Sequence, residues 1–435
     1  MSVESAQLLP KRGNDASDPS DAASFGVKPY GPSIALAMAL NYVIGTGCFG
    51  LPYAFHEAGI VLSLSLMLVG VAGAVVTMNY TLESLARAEG VCAATRGGGP
   101  LHQLTYRKFD FAMIGEMFAG KLGKVLVQIV LILYGIGALW SYASVFASSM
   151  ASLFYSYVLR SDVACDAYAA APSAGCLDAY YVFMLLFAGI TISMVLLDIS
   201  EQASIQRFLS VYRVVALTLM LLTMVIKISV DGGAKLQQRF DAVGAFNWSN
   251  FGKGFGPTLL ALNCQYNMPD ALQPLHPKSS ARACSSTNPW GVLVQLVVLI
   301  FPVVNVTSTY PMVGVTVGDN MLMSVPKAVT TPLGTENARR VCRLLAAGPP
   351  LVLAFFFKKL DFIFAISGLF GFLLGLSIPC WFQVVGSRYC QRVWGFSGAS
   401  ITPFTQPVIS SIGFASTYLV LTFGILGVAI ATLNG

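Results

Sequence analysis

Residues 41–52 read NYVIGTGCFGLP, three glycines and a proline in the middle of an apolar run. Glycine costs about 1 kcal/mol and proline about 3 kcal/mol in a helix interior, so a helix through this stretch is biased towards unwinding. The rest of the chain says in what medium that helix lies. Of 435 residues, 26 are Lys or Arg and 20 are Asp or Glu, 11% in all, while 55% are apolar and the mean hydropathy is +0.70. A soluble protein carries about 25% charged residues. The charges are also clustered: residues 1–32 hold seven and residues 86–124 nine, leaving 30 for the other 364 positions. These figures exclude a soluble enzyme, a nucleic-acid binder and a disordered chain, and make a lipid bilayer the expected surroundings.

Ten windows carry no charge: 29–55, 58–82, 125–159, 179–197, 214–226, 254–269, 283–318, 344–357, 362–387 and 393–435. Most reach the roughly 20 apolar residues of a helical span. The two shortest are bordered by Arg213, Lys227, Arg343 and Lys358, whose long side chains can snorkel to the headgroups. None shows the alternation of a barrel strand. The expectation is an all-α integral membrane domain over residues 33–435 with about ten spans, behind a disordered cytosolic tail at 1–32. In that tail Glu4, Leu8 and Leu9 fit the acidic dileucine pattern that sorts proteins to lysosomes or vacuoles. The plasma membrane and a vacuolar or lysosomal membrane are both open.

Lys and Arg accumulate in cytosolic loops. With the N-terminus inside, the first half places 13 of them inside and five outside. Cys165 and Cys176 share a putative external loop, where a disulfide is permitted. Asn247 is the one Asn-x-Ser/Thr site in such a loop and is the glycosylation candidate. The second half reverses the bias. Simple alternation of ten spans puts two basic residues inside (Lys358, Lys359) and six outside (Lys327, Arg339, Arg340, Arg343, Arg388, Arg392). One more crossing between Arg282 and Trp290 would put six inside and two outside. Either a span is absent relative to an ancestral architecture, or the rule fails here, or an earlier window does not cross.

A second window is interrupted as well. It is apolar from Gly254 to Leu262 and then polar through Asn263, Gln265, Tyr266, Asn267 and Pro269. The first and sixth spans are five apart, so the interruptions occupy corresponding positions of two five-helix halves, the pattern of an inverted-repeat secondary transporter with its site at mid-membrane. Unwound backbone survives in lipid only where it lines a cavity. Freed amides near Thr46, Gly47 and Cys48 suit a carboxylate, and freed carbonyls near Leu262 and Asn263 suit an ammonium group or a cation. A zwitterionic amino acid supplies both charges. The expected contact set is Ile44, Gly45, Thr46, Gly47 and Cys48 with Leu262, Asn263 and Tyr266. The alternative is that these glycines serve close helix packing alone.

Other chemistry is not visible. Gly45, Gly47 and Gly50 satisfy the dinucleotide pattern GxGxxG, but no strand precedes them. Three histidines, His56, His102 and His276, are too scattered for a metal site. No nucleophile and base are paired, so no enzyme and no cofactor are expected. No carboxylate sits near the centre of a confident span, and His56, Glu57 and Asp270 read as interfacial or capping groups.

Residues 41–59, NYVIGTGCFGLPYAFHEAG, resemble the first-span signature of the amino acid/auxin permease family, within the amino acid, polyamine and organocation superfamily. Residues 109–124 are similar to its amphipathic segment before the third span, 261–277 to its broken sixth span, Tyr310 and Pro311 to the TyrPro element of its eighth, and 368–379 to its tenth. The resemblance implies an eleven-helix, LeuT-like fold that carries amino acids, coupled to sodium or protons. In its sodium-coupled branch an Asn and a Thr contribute to a cation site, and Asn41 and Thr309 match them. It also implies that residues 290–318 are the eighth span and that the seventh is absent, which agrees with the charge count. With no charged residue beside either break, small neutral amino acids are the expected substrates. A membrane amino acid sensor and a truncated, non-transporting form are the alternatives, and the oligomeric state is not legible.

Overall fold

The computed structural model describes residues 47–94, most of 102–155, 165–169, 172–197, 244–262, 301–322, 334–357 and 360–432, with a few single positions between them. Among these the regular structure is helical. The helix α1 (Gly47–Ala58) meets α2 (Ile60–Ala94) at Gly59, whose φ of 85° falls in the left-handed region glycine tolerates. Next comes α3 (Phe111–Leu153), which turns at Gly120 with φ 73°. Its first arm folds back so that a Cβ on Gly115 would lie 2.9 Å from the carbonyl oxygen of Gly123, and Lys124 pairs with Glu116 at 2.9 Å. After them come α4 (Ala174–Val195), α5 (Phe251–Leu262), α6 (Phe301–Leu322) and α7 (Thr335–Phe356). The helix α8 (Leu360–Phe372) runs through a π-helical turn (Leu373–Ser377) into α9 (Ile378–Trp394), which Gly395 ends with φ 76°, and α10 (Ile412–Ala431) follows. Ser173 caps α4 by accepting from the Cys176 N–H, and Ser411 caps α10 by accepting from the Phe414 N–H.

Among the described residues five helical stretches are long and apolar enough to cross a bilayer: α2, α3, α4, the continuous run from Phe362 to Trp394, and α10. The expected ten are therefore matched only in part, and the window 214–226 lies outside the described residues.

Two groups of helices form. In the first, α3, α4, α6 and α7 pack around an aromatic centre, with Phe146 to Phe187 at 4.4 Å and Phe187 to Tyr310 at 5.1 Å between ring centroids. Buried phenols are satisfied there: Tyr310 donates to the Ala347 carbonyl at 2.6 Å and Tyr180 to that of Ala354 at 2.9 Å. In the second, α1 packs on α5, and α2 packs on α5 and α9. Both α8, which touches α3 and α5, and α9, which touches α2 and α3, bridge the groups.

The contacts give each helix a direction. Tyr310 lies against Tyr142, Val317 against Gly135, and Gln128 donates to the Asn320 carbonyl, so α6 runs antiparallel to α3. It runs parallel to α4, since Phe187 meets Tyr310 and Val195 meets Gly314. The end of the bundle holding Leu197, Asp319 and Arg343 is the inner end by the charge bias of the first half. Phe301, nine residues or about 14 Å of helix from Tyr310, is therefore at the outer end.

Two charged residues depart from expectation. Arg343 does not snorkel to the headgroups. It is 3% exposed and makes a two-pronged pair with Asp319, Nε to Oδ1 at 2.9 Å and Nη2 to Oδ2 at 3.2 Å. That pairing lets α7 begin at Thr335, nine residues before the apolar window starts. Arg87 is not in a loop, because α2 continues to Ala94 and buries it against Glu83.

Candidate substrate site between the two half-spans

The helices that flank the predicted breaks are α1 and α5, of 12 residues each. At 1.5 Å per residue each is about 18 Å long, roughly half of a bilayer's hydrocarbon core. They are clasped at their outer tips. The backbone N–H of Val61 donates to Ala245 O at 2.9 Å, that of Ile60 to Gly244 O at 3.3 Å, and that of Asn247 to Ala58 O at 2.9 Å. Asn250 Nδ2 donates to the main-chain and side-chain oxygens of Glu57, both at 3.1 Å. Lys253 Nζ and His56 Nδ1 approach the same carboxylate at 3.9 and 3.5 Å. Glu57 and His56 thus belong to an interfacial cluster at the rim.

Below the tips the contact is made by small residues. A Cβ on Gly50 would stand 2.7 Å from Pro257 Cβ, and one on Gly254 would stand 2.7 Å from Ala58 Cβ. On its other side α5 meets α8 with no side chain between them: Gly256 lies over Ala365, where a Cβ would be 2.8 Å from Cα, and Gly368 lies directly on Gly256. Such spacing is what small residues allow in membrane helices. The candidate site is therefore walled by three closely packed helices, α5 and α8 at backbone contact and α1 and α5 through glycine against a small side chain. Both half-spans also carry a proline, Pro52 and Pro257. A proline cannot donate to the carbonyl four residues before it, so the carbonyls of Cys48 and Lys253 lack that helical partner.

The expected contacts fall as follows. Gly47 and Cys48 open α1 as described, and Leu262 closes α5 as described. Asn41, Ile44, Gly45, Thr46, Asn263 and Tyr266 lie outside the described residues. Thr309 is buried in α6, one residue before Tyr310. Cys165 and Cys176 form a disulfide, Cα to Cα 5.4 Å, at the outer end of α3 and α4. Tyr168 inside that loop donates to the Ser144 carbonyl at 2.8 Å. Asn247 is exposed at the outer rim, with its side-chain oxygen accepting from Ser249 at 2.7 Å. Cys92, Cys342, Cys380 and Cys390 are buried and lie outside the disulfide.

Sequence reasoning missed one constellation. Glu83 and Arg87, one helical turn apart on α2, are fully buried with Gln383 of α9 and the segment 400–410. The i, i+4 spacing of opposite charges was the available signal. It was hidden because the charge count closed the apolar window at Leu82.

A bundle of apolar helices in which two short helices, α1 and α5, pack together against a third fits a multi-pass membrane protein. A crystal structure described as MhsT in complex with L-phenylalanine is similar to the chain with a TM-score of 0.53 at 13% identity, covering 92% of this chain and 98% of that one. This likeness defines a LeuT-like fold. The model of the family described as transmembrane amino acid transporter protein matches residues 30–335, and the chain belongs to that family. Among relatives, the Caenorhabditis elegans transmembrane protein 104 homolog is 23% identical over 361 residues, 71% of each chain. The Drosophila melanogaster transmembrane protein 104 homolog is 21% identical over 506 residues, 93% of this chain and 97% of the relative.

Proposed function

We propose that the chain moves small neutral amino acids across its membrane, coupled to a sodium or a proton gradient. The observation that carries this reading is the close packing of α1 on α5, Gly50 on Pro257 and Gly254 on Ala58, beneath backbone hydrogen bonds between the turn after α1 and residues 244–247. A carboxylate would be met by amides from Ile44 to Cys48, and an ammonium group by carbonyls near Leu262, Asn263 and Tyr266. The nearest charge described on α1, Glu57, lies ten residues or about 15 Å of helix from Gly47, which favours an uncharged side chain in the substrate. The solved neighbour binds L-phenylalanine, also uncharged in its side chain. Asn41 and Thr309 supply oxygens suited to sodium, and Asn247 is the position for a glycan.

The direction of α6 bears on the seventh span. Leu262 points the chain inward and Phe301 starts again at the outer end, with 38 residues between them. Residues 263–300 lie outside the described residues. Our reading is that the chain recrosses there through the charge-free run 283–300, whose 18 residues would make about 27 Å of helix. The seventh span is then short and polar in its first half, and a complete transporter is favoured over a truncated one. The Drosophila relative aligns over 506 positions with 93% of this 435-residue chain, so it holds about 100 residues that this chain lacks.

The test is uptake of labelled alanine by the purified protein in liposomes, with sodium and proton gradients imposed separately. Uptake under one gradient, abolished by Gly47→Leu, is expected. Alanine binding without uptake would make the protein a sensor, and neither binding nor uptake would refute the reading.

A further inference from the structure

Near its inner end α2 holds an ion pair with almost no exposure, Glu83 at 0% and Arg87 at 1%. Taking two charges out of water is unfavourable unless every remaining donor and acceptor is matched. Here they are matched from other elements. Arg87 pairs with Glu83 through Nη2, donates through Nη1 to Gln383 Oε1 at 2.7 Å, and through Nε to the Ser400 carbonyl at 2.9 Å. Glu83 accepts from Asn79 at 2.8 Å, from Gln383 at 3.1 Å, from Thr405 at 3.3 Å and from the Ser410 hydroxyl. Gln383 also donates to the Ser410 carbonyl at 2.8 Å, and Tyr80 to that of Ile409 at 2.7 Å. Movement of α9 or of the strap 397–411 relative to α2 would leave a charge in the interior without its partners, so α2, α9 and the strap hold together as one body.

The other end of the same span is held differently. Gly368 and Ala365 of α8 rest on Gly256, and Ser367 rests on Gly137 of α3. These are apolar and backbone contacts that can slide without stranding a charge. Between the two arms lies the π-helical turn Leu373–Ser377, the kind of local register change that interrupts helices at functional sites. Ser377 at its base is tied to Thr422 of α10 at 3.1 Å.

We infer that Glu83, Arg87 and Gln383 are positioning residues: they lock α9 and the strap to α2, and the π-turn is the joint about which α8 moves with α1 and α5 as substrate binds. The kinetic arm of the test and the alanine-dependent distance rest on the transport reading, and the broadening of the Val75 to Val393 distance in the variants does not.

Spin labels at Val75, Phe362 and Val393, three exposed positions, report the two arms in the full chain in liposomes. In the wild type, 10 mM alanine should change the Phe362 to Val393 distance and leave Val75 to Val393 narrow and unchanged. The double variant Glu83→Gln/Arg87→Met removes both charges together, so neither is left alone, and Gln383→Met is the second variant. Both should broaden the Val75 to Val393 distribution, keep alanine affinity within about threefold, and lower turnover at least tenfold. The inference is overturned if the wild-type Val75 to Val393 distance shifts as much as the other, or if variants that bind alanine show unchanged turnover and unchanged distances. If the wild type neither binds nor transports alanine, the transport reading fails, and broadening of the Val75 to Val393 distance in the variants alone decides the lock.

Discussion

The contact of Gly368 with Gly256 can be tested by one methyl group. In Gly368→Ala the new Cβ would overlap the Gly256 carbonyl oxygen and Cα and lie 2.5 Å from its carbonyl carbon. Ordinary carbon contacts are about 3.5–4.0 Å, so α8 and α5 must part by about 1 Å. The obstacle is backbone, which cannot rotate away, so the cost falls at the upper end of the about 1–3 kcal/mol range for overpacking. Alanine returns about 1 kcal/mol through helix propensity. The net of about 2 kcal/mol corresponds to a shift of about 30-fold in the equilibrium between closed and parted helices. Alanine affinity in detergent should fall by about that factor, and the melting temperature should drop with it. Gly427→Ala is the control, since a Cβ there meets nothing within 4 Å. Equal affinity and equal melting temperature in Gly368→Ala and Gly427→Ala would refute the argument that α5 and α8 are at backbone contact.

Two further outcomes follow from the outer and inner faces. Cys165→Ser/Cys176→Ser should lose up to about 3 kcal/mol of loop-closure stabilisation, for a loop of sequence separation 11, less whatever Tyr168 retains by its bonds to Ser144 and Ser148. Maleimide should modify these thiols only after reduction, and modification without reductant would count against the pairing. His102 packs on Gly90, with Nε2 at 2.7 Å from the Ala399 carbonyl oxygen, and burial, then the positive charge of Arg87, holds its pKa below the usual histidine value. The folded state therefore binds this proton less readily than the unfolded chain. Its contribution is complete above about pH 6.5 and is lost progressively as the pH falls below that towards the depressed value. The drop in melting temperature between pH 7.5 and 5.5 should be larger in the wild type than in His102→Asn, and an equal drop would refute it.

What could be read beforehand and what could not divides along a physical line. The breaks expected beside Gly47 and Leu262 rest on glycine, proline and polar residues inside an apolar run, which act locally through backbone propensity, and they fall on residues outside those described. Charge-free length anticipated the helices in part, since five described stretches are long and apolar enough to cross a bilayer. Arg87 and Arg343 were misjudged because a charge was taken as a marker of water. Each is buried by a partner on the page of the sequence only in hindsight, Glu83 four residues away and Asp319 on another helix. The closeness of α5 to α8 was equally hidden, since Gly256 and Gly368 are 112 positions apart and a glycine does not say which neighbour it admits. At Gly50 the packing alternative and the site reading are compatible, since the close packing on Pro257 is what a wall of such a site would need.

The reversal of charge bias in the second half has a geometric counterpart that uses only the charge bias of the first half. Once Leu197 is assigned to the inner end, its carbonyl receives Arg343 Nη1 at 3.4 Å, which puts the start of α7 inside as well. Arg339 and Arg340 lie in the first turns of that helix, and Arg388 and Arg392 lie at the end of α9 beyond Gly386, which packs on Phe118 near the inner start of α3. These five are among the six residues that simple alternation puts outside. Helix direction, oriented by the first half's charges, and the distribution of Lys and Arg in the second half are separate observations, and both call for an odd number of crossings between Leu262 and Phe301 once the inward half of the sixth span is completed. Labelling can decide it. With an impermeant maleimide on sealed, oriented vesicles, Glu336→Cys should react only from the face that carries the N-terminal tail, and Phe246→Cys only from the opposite face. Reaction of both from one face would mean that α6 and α7 are inverted, and the packing of Tyr310 on Tyr142 and Phe187 would then be wrong along with the topology.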